Sequence, residues 1–234
     1  MATTTDAQKK EEEVTINEMV SDFIQKNRKI LFISLIAIIA VLAGFITVVT
    51  VRERLLEKAL TQIDGFSRQY ETLRIDSDSD DPYMVSRMAE IAVLLANIEV
   101  FAARNSGFAA AQAYNLAANI HWDQNNRDGA ERAWLDAAKA AGKNYLAPVS
   151  LYNAAVAAEE RGDIETAIAH YKGALEHGTV FPSAVRAQFS IGRLEESRNG
   201  KDAALEAYRN VLSNWPNDSL WSNLAQSRIL ALSE

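Results

Sequence analysis

The chain has 234 residues, no cysteine and a net charge of −7. The absence of cysteine excludes disulfides, thiol catalysis and thiolate metal sites. An acidic chain without a basic cluster is poorly suited to nucleic acids, whose phosphates need lysine and arginine gathered on one face. With 10 Gly, 4 Pro and abundant alanine, the composition favours helices over sheets.

The N-terminal region divides into a charged tail and an amphipathic segment. Residues 1–13, MATTTDAQKKEEE, are polar enough to predict a disordered tail. In residues 14–29, Thr15 and Glu18 have the spacing of a capping box. An apolar stripe follows at helical spacing, formed by Ile16, Met19, Val20, Phe23 and Ile24. We expect this stripe to lie in a membrane interface, and the alternative is a docking face for a partner.

Residues 30–51, ILFISLIAIIAVLAGFITVVTV, contain no charged residue, no Asn, no Gln and no Pro. As a helix this stretch is roughly 33 Å long, enough to cross a hydrocarbon core of about 30 Å. A cleaved signal is disfavoured because the apolar run is too long and no small-x-small cleavage site follows it. The sequence therefore predicts an uncleaved transmembrane anchor, with a buried core helix as the alternative.

Cations flank the predicted span on both sides, so the positive-inside rule is nearly balanced. The denser cluster precedes the span. It favours a single-pass protein of the inner (cytoplasmic) membrane, with the N-terminus on the inner side and the C-terminal domain on the periplasmic, or extracytoplasmic, side. The opposite topology stays open. The flanking cations are Lys26, Arg28 and Lys29 before the span, and Arg52, Arg54 and Lys58 after it.

Residues 52–234 are predicted to form one helical domain that begins with a continuation of the span's helix to about Ile75. The acidic residues 76–81 start like a calcium-binding EF-hand loop. That loop fails at its sixth position, where Asp81 replaces Gly, and at its twelfth, where Arg87 replaces a bidentate Glu. A solvated turn is the better interpretation. The helix predicted over 83–104 is apolar on most sides, and we expect it to be well buried.

An internal period of 37 residues follows. Three alanines align at this spacing, and a large aromatic side chain stands four residues after each alanine. The aligned alanines are Ala130, Ala167 and Ala204, and the aromatic residues are Trp134, Tyr171 and Tyr208. A second column of small residues lies upstream at Ala118, Ala155 and Gly192. Small residues at fixed points let two helices approach closely, and the aromatic side chain fills the gap between neighbouring pairs.

Polar turns separate the two helices of each predicted pair. They lie at residues 126–129, 161–163 and 199–202, and each contains a Gly that is available for a left-handed helix end. Longer turns at 142–148 and 178–182 join one pair to the next.

These columns resemble the tetratricopeptide repeat over residues 107–216, and Pro216 stands where that family has its proline. The departures are a longer period, the loss of one tryptophan and the loss of the proline in the first two copies. The resemblance implies an α-solenoid of helix pairs, and with the predicted transmembrane helix before it the whole fold is expected to be all-α. Helices over 53–75 and 82–104 would form a degenerate fourth pair, which precedes the three repeats in the chain. Residues 218–232 would form a capping helix with Trp221, Leu224 and Leu232 on one side, as solenoids require.

The resemblance also implies a concave groove that binds a peptide or partner helix. The groove residues carried over from the family are Asn115, Asn119, Trp122, Tyr152, Asn153, Arg186, Phe189 and Arg193. Three of them, Asn119, Asn153 and Arg186, match positions of a clamp that grips a terminal carboxylate in some family members. Asn115 and Ser190 replace the two other cations of that clamp, which weakens the attraction for a carboxylate.

No pattern in the chain indicates catalysis. The three histidines, His121, His170 and His177, belong to no H-E-x-x-H motif, and no nucleophile elbow or phosphate loop is present. We expect a non-enzymatic protein with no cofactor and no metal.

The order of parts is similar to that of the YfgM-like proteins, single-span ancillary subunits of the bacterial Sec translocon. This resemblance implies an adaptor, associated with chaperones, that contacts translocon subunits, periplasmic chaperones or their clients. Two alternatives are a structural scaffold in another envelope complex, such as a secretion or motility apparatus, and a cytosol-facing receptor for precursor proteins. The sequence predicts no particular oligomeric state.

Overall fold

The computed structural model describes residues 3–74, 84–178 and 181–233, with side chains from Met19 onward. The described residues form nine α-helices and no strand, which confirms the predicted all-α class. The helices are α1 (Thr3–Leu73), α2 (Met84–Arg104), α3 (Gly107–Asp123), α4 (Arg127–Ala141), α5 (Leu146–Glu160), α6 (Ile164–Leu175), α7 (Ala184–Ser197), α8 (Lys201–Asn214) and α9 (Ser219–Ser233). The acidic segment 76–81 lies outside the described residues.

The chain divides into two units, Met1–Lys58 and Ala59–Glu234. The first belongs to α1, which begins at Thr3 and so includes most of the tail that the composition predicts to be disordered. Ala, Lys, Gln and Glu are strong helix formers, and this propensity accounts for the difference.

One stretch of α1, within Met19–Leu73, is long and apolar enough to cross a membrane by length and composition, a test that signal sequences and core helices also pass. Its side chains are exposed: Ile33 is 66% and Phe45 67% accessible. A helix in the core of a soluble domain would instead be mostly buried.

The second unit stacks helix pairs. Helices α3 and α4, α5 and α6, and α7 and α8 pack as pairs, each second helix also contacts the next pair, and α9 follows as the last helix. Residues 59–73 of α1 pack with α2 ahead of the first pair, where the rings of Phe66 and Phe101 meet edge-on at 5.7 Å.

The repeated small and aromatic residues lie in the interior. Ala118, Ala130, Ala155, Ala167 and Ala204 are fully buried. Trp134, Tyr171 and Tyr208 are buried beside them, whereas Pro216 is exposed in the turn before α9. A Cβ added to Gly192 would lie 2.6 Å from the Tyr208 ring, so the third copy of the small-residue column has no room for an alanine.

In two of the three pairs, the left-handed residue in the turn is not the glycine that the sequence suggests. The left-handed residues are Asn125, Gly162 and Asn199, with φ of 60°, 78° and 61°, and they share the 37-residue period. Gly129 instead lies in the first turn of α4, and Gly200 caps α8 with φ of −81°. Asparagine tolerates the left-handed region better than most residues, which explains why two of the turns do without glycine there.

Two helices are less buried than the sequence predicts. In α2, Ile91, Leu94 and Ile98 are buried, but Val85 is 82% and Val93 63% exposed. The prediction of a well-buried α2 is therefore wrong for its outer face. In α9, Trp221 and Leu232 pack against the last pair as expected. Leu224 stays 41% exposed, because its side chain is rotated about 100° around the helix from the buried Ala225.

Candidate functional site: the odd-helix face

The predicted groove residues belong to α3, α5 and α7. We name the side of the second unit that these odd-numbered helices form, together with α9, the odd-helix face. Its floor repeats. Each aromatic residue of the 37-residue column contacts two side chains from the first helix of its own pair. In the first pair, Trp134 Nε1 donates to Asn115 Oδ1 at 3.2 Å, and its ring lies 5.6 Å from that of Trp122.

The second and third pairs repeat this floor with different chemistry. Tyr171 lies 5.3 Å from Tyr152, ring to ring, and its hydroxyl donates to Glu159 Oε2 at 3.2 Å. In the third pair, Tyr208 lies 5.2 Å from Phe189 and donates to Glu196 Oε2 at 3.0 Å. The same three columns therefore place an aromatic row down the face, with a carboxylate beside each tyrosine.

Ion pairs across this face tie each pair of helices to the next. Arg193 of α7 donates to Glu159 of α5, with Nη2 to Oε1 at 2.6 Å. Arg228 of α9 donates to both oxygens of Glu196 in α7. Both acids are thus neutralised from the following odd helix, and the Tyr–Glu–Arg arrangement occurs twice.

At the N-terminal end of the face the contacts are of several kinds, and they include an ion pair between Arg127 Nε and Glu160 Oε2 of α5 at 3.7 Å. Tyr70 of α1 donates to Asp123 Oδ2 at 2.8 Å. The Arg127 guanidinium lies 3.7 Å above the Trp122 ring and donates to the Trp122 carbonyl oxygen at 2.8 Å. These contacts join α1 to α3, and α4 to both α3 and α5.

The hydrogen bonds fix the protonation states of the floor. Burial, the hydrogen bond to Glu196 and the charge of that carboxylate raise the pKa of Tyr208 to about 12. Burial and the charge of Glu159 raise the pKa of Tyr171 well above its usual range. Hydrogen bonding to Arg228 holds the pKa of Glu196 below its usual value, against the effect of burial. At neutral pH the phenols are donors and Glu196 is ionised.

Two cavities open along the face. One of about 440 Å³ lies between α7, α8 and α9, with Phe189 and Tyr208 among its walls and Arg193, Glu196, Ser197 and Arg228 completing the lining. A second, of about 200 Å³, lies between α1 and α3 beside Asn115 and Asn119. The first has the larger volume and the aromatic walls, so it is the better place for a large apolar side chain of a partner.

The eight predicted groove residues have different roles. Asn119 and Arg186 are exposed, and Asn153 is half-buried. The Arg186 guanidinium lies 5.7 Å from the Tyr152 ring and forms no salt bridge with a described residue. Asn115, Trp122, Tyr152 and Phe189 belong to the floor, and Arg193 is engaged by Glu159. Arg186 is thus a guanidinium on this face whose charge no described carboxylate neutralises.

Two of the three histidines, His121 and His170, lie beside a glutamate of another helix. His121 Nε2 lies 3.3 Å from Glu99 Oε1. His170 Nε2 lies 3.0 Å from Glu131 Oε1, and Glu131 is also held by Arg161. Within the described part of the chain no three His, Asp or Glu residues are grouped so as to hold a metal ion. The polar groups around both histidines join neighbouring helices.

The sequence analysis named Arg193 as a groove residue but did not predict its ion pair with Glu159. It also missed Arg228, which lies in the cap and outside the repeat columns. One signal was present: a buried tyrosine needs an acceptor, and a glutamate stands twelve residues before each of Tyr171 and Tyr208. The arginine that completes the arrangement depends on how successive odd helices align.

Comparisons with known proteins identify the repeat. A sequence profile of the tetratricopeptide repeat family matches residues 152–219. The chain is 32% identical over 227 residues to a TPR repeat-containing protein of Treponema pallidum (strain Nichols), across 92% of this chain and 93% of that protein. YrrB, described as a TPR protein with an unusual peptide-binding site, aligns with 69% of this chain and 97% of its own at 15% identity. The TM-score is 0.29, too low for an argument about this chain.

Proposed function

This chain belongs to the tetratricopeptide repeat family, and on that premise we propose that it is a membrane-anchored adaptor that holds a segment of a partner protein against the odd-helix face. Tetratricopeptide repeats bind other proteins or peptides, so interaction with a protein is the general function. The observation that carries the specific proposal is the aromatic row with its 440 Å³ cavity.

The chemistry of the face favours a partner with apolar or aromatic side chains. Because Glu159 and Glu196 neutralise Arg193 and Arg228, the centre of the face carries little net charge. An aromatic or aliphatic side chain buried against Phe189, the half-buried ring of the cavity wall, would gain about 1.5–3 kcal/mol from desolvation. Arg186 and the two asparagines are placed to bind carbonyl or carboxylate oxygens along the backbone of the segment.

This part of the proposal is tested by peptide binding to the full chain in detergent micelles. Peptides selected by phage display are labelled with fluorescein, and their binding is followed by anisotropy. Phe189→Ala removes a wall of the cavity, and we expect affinity to fall at least tenfold, a loss of about 1.4 kcal/mol. Phe108→Ala is the matched control, since Phe108 is also half-buried but packs on Tyr145. Equal affinities for both variants would exclude the cavity as the binding site.

The anchor and the location extend the proposal. The exposed apolar stretch of α1 supports a single membrane span. The denser cation cluster before it, Lys26, Arg28 and Lys29, supports an N-terminus inside and a domain on the extracytoplasmic side. The order of tail, span and repeat domain supports an ancillary, chaperone-associated role at the protein translocon. Such an adaptor would meet translocon subunits, periplasmic chaperones or their clients as chains emerge from the membrane.

Two measurements test this extension. Protease added to intact cells and to cells with opened outer envelopes determines which side holds the domain. Cleavage only after both membranes are disrupted would favour the cytosol-facing receptor. Purification in mild detergent should recover translocon subunits with the chain. Stoichiometric recovery of one other large envelope complex, without translocon subunits, would favour the scaffold alternative.

A further inference from the structure

The outer face of α2 differs from the outer faces of the other second helices. In α4, α6 and α8 the exposed positions carry charged residues such as Arg132, Glu165 and Glu206. In α2 polar residues such as Ser86 and Glu99 are also exposed, but large apolar side chains are exposed beside them: Val85, Met88, Val93 and Val100 are 82%, 53%, 63% and 49% accessible. An apolar patch of this kind on an otherwise charged surface marks an interaction site.

The patch has the geometry of a helix-packing seam. Val85, Ala89, Ala92, Ala96 and Val100 succeed one another at spacings of three and four residues, so they form one stripe along the helix. Val93 lies at its edge. The three alanines at its centre leave room for a second helix to approach closely, and the valines at either end would cover its flanks.

The order of residues along this stripe is the same from both directions. About a midpoint between Ala92 and Val93, Val85 corresponds to Val100 and Ala89 corresponds to Ala96. An isologous dimer requires such a pattern, because each residue on one copy must meet the equivalent position of the other. An antiparallel copy of α2 would set Val85 against Val100, Ala89 against Ala96 and, at the axis, Ala92 against Val93, so that every contact along the stripe is apolar.

The polar residues at the edge of the stripe agree with that arrangement. In the same register Ser86 of one copy lies opposite Glu99 of the other, so in the dimer the Ser86 hydroxyl would exchange its acceptor Glu90, at 3.3 Å, for that carboxylate. Within one copy, Ser86 donates to Glu90 and Glu99 contacts His121. No pair of like charges faces across the seam in this register.

We propose that the outer face of α2 is a homodimer interface in which two copies of the helix pack antiparallel about a two-fold axis near Ala92 and Val93. From Val85 to Val100 the contact is about 22 Å long. One helix pair of this length buries less than the roughly 1,200–2,000 Å² of a standard interface, so the dimer should be reversible, with dissociation in the micromolar range.

The absence of cysteine from the whole chain allows a direct test by disulfide crosslinking of full-length protein in detergent micelles. A disulfide needs Cα atoms about 4.4–6.8 Å apart. Ala92→Cys lies next to the two-fold axis and should crosslink to itself. Ala89→Cys should not, because the two equivalent positions are about 10 Å apart along the pair. A mixture of Ala89→Cys and Ala96→Cys chains should crosslink.

Ala203→Cys, on the exposed side of α8, controls for random collision and should give no dimer. Adding Val93→Glu to Ala92→Cys should lower the crosslinked yield at least tenfold, whereas adding Ala203→Glu should leave it unchanged. Circular dichroism verifies the fold of each variant. The proposal is overturned if Ala92→Cys gives no dimer, if Ala89→Cys crosslinks to itself as readily as Ala92→Cys, or if the Ala92→Cys chain captures only a different protein in native membranes.

Discussion

The close contact between Gly192 and Tyr208 makes the packing of the third repeat testable with one methyl group. Replacing Gly192 by alanine would place its Cβ 2.6 and 2.7 Å from two ring carbons of Tyr208. The ring is fully buried, packs on Phe189 and donates to Glu196, so it has little freedom to move away. Gly173 is the matched control, because it also lies within a helix and its added Cβ would meet Leu151 at an ordinary 3.7 Å.

The two substitutions should change the free energy of unfolding in opposite directions. Alanine gains about 1 kcal/mol over glycine within a helix, and this gain applies to both sites. Overpacking in a tight core costs about 1–3 kcal/mol, and this cost applies only at Gly192. Because the Cβ would come within 2.6 Å of a ring with little freedom to move, we expect the upper part of that cost, about 2–3 kcal/mol, and therefore a net loss of about 1–2 kcal/mol for Gly192→Ala. Gly173→Ala should gain about 0.5–1 kcal/mol.

The assay is urea unfolding of the full chain in micelles, followed by tryptophan fluorescence. All four tryptophans lie in the repeat unit, at 122, 134, 215 and 221, so the signal reports that unit rather than the anchor helix. The midpoint should fall for Gly192→Ala and rise for Gly173→Ala. If both substitutions stabilise the chain equally, the close contact between the third pair's helices is not as described.

Two further predictions concern a charge and a turn. Because the pKa of Glu196 is lowered in the fold, its ionised form stabilises the chain at neutral pH, and this contribution is lost as the pH falls below 4.5. Glu196→Gln should therefore lower the free energy of unfolding at pH 7, by less than about 1 kcal/mol since Arg228 is partly exposed, and this difference should shrink as the pH falls below 4.5 and through the lowered pKa of Glu196. A difference that stays constant as the pH falls would contradict the ion pair. Asn199→Ala should lose about 1 kcal/mol because φ is 61°, whereas Asn199→Gly should lose nothing. Equal losses from both variants, measured by urea unfolding, would show that the left-handed backbone is not the cause.

The sequence predicts the parts of the fold that depend on local periodicity. Ala130, Ala167 and Ala204 with their following aromatic residues define the helix pairs, since buried positions in packed helices recur at fixed spacing. The resemblance to the tetratricopeptide repeat, which rests on these columns, in turn predicts Tyr152 and Phe189 as groove residues. The helix pairs need only a repeat and the geometry of a helix, whereas the groove residues need the family's pattern as well.

Other features depend on how helices align in space. The ion pair between Glu159 and Arg193 joins residues 34 positions apart, and no local sequence pattern predicts it. The sequence also does not predict the exposed face of α2, because a helix that is apolar on most sides does not indicate which side its neighbours leave uncovered. The left-handed residues of the turns could have been predicted from the sequence, since Asn125 and Asn199 share the 37-residue column of Gly162. Asparagine is simply a weaker signal than glycine.

The central claim is that the partner binds the odd-helix face, and site-specific photocrosslinking in cells tests it most directly. A photoreactive amino acid is placed at one of two exposed positions of that face, Asn119 or Ser197, or at one of two on the outer helices, Arg132 or Arg209. The account predicts that Asn119 and Ser197 capture the same partner protein and that Arg132 and Arg209 do not. Capture of the partner from Arg132 and Arg209 alone would contradict it.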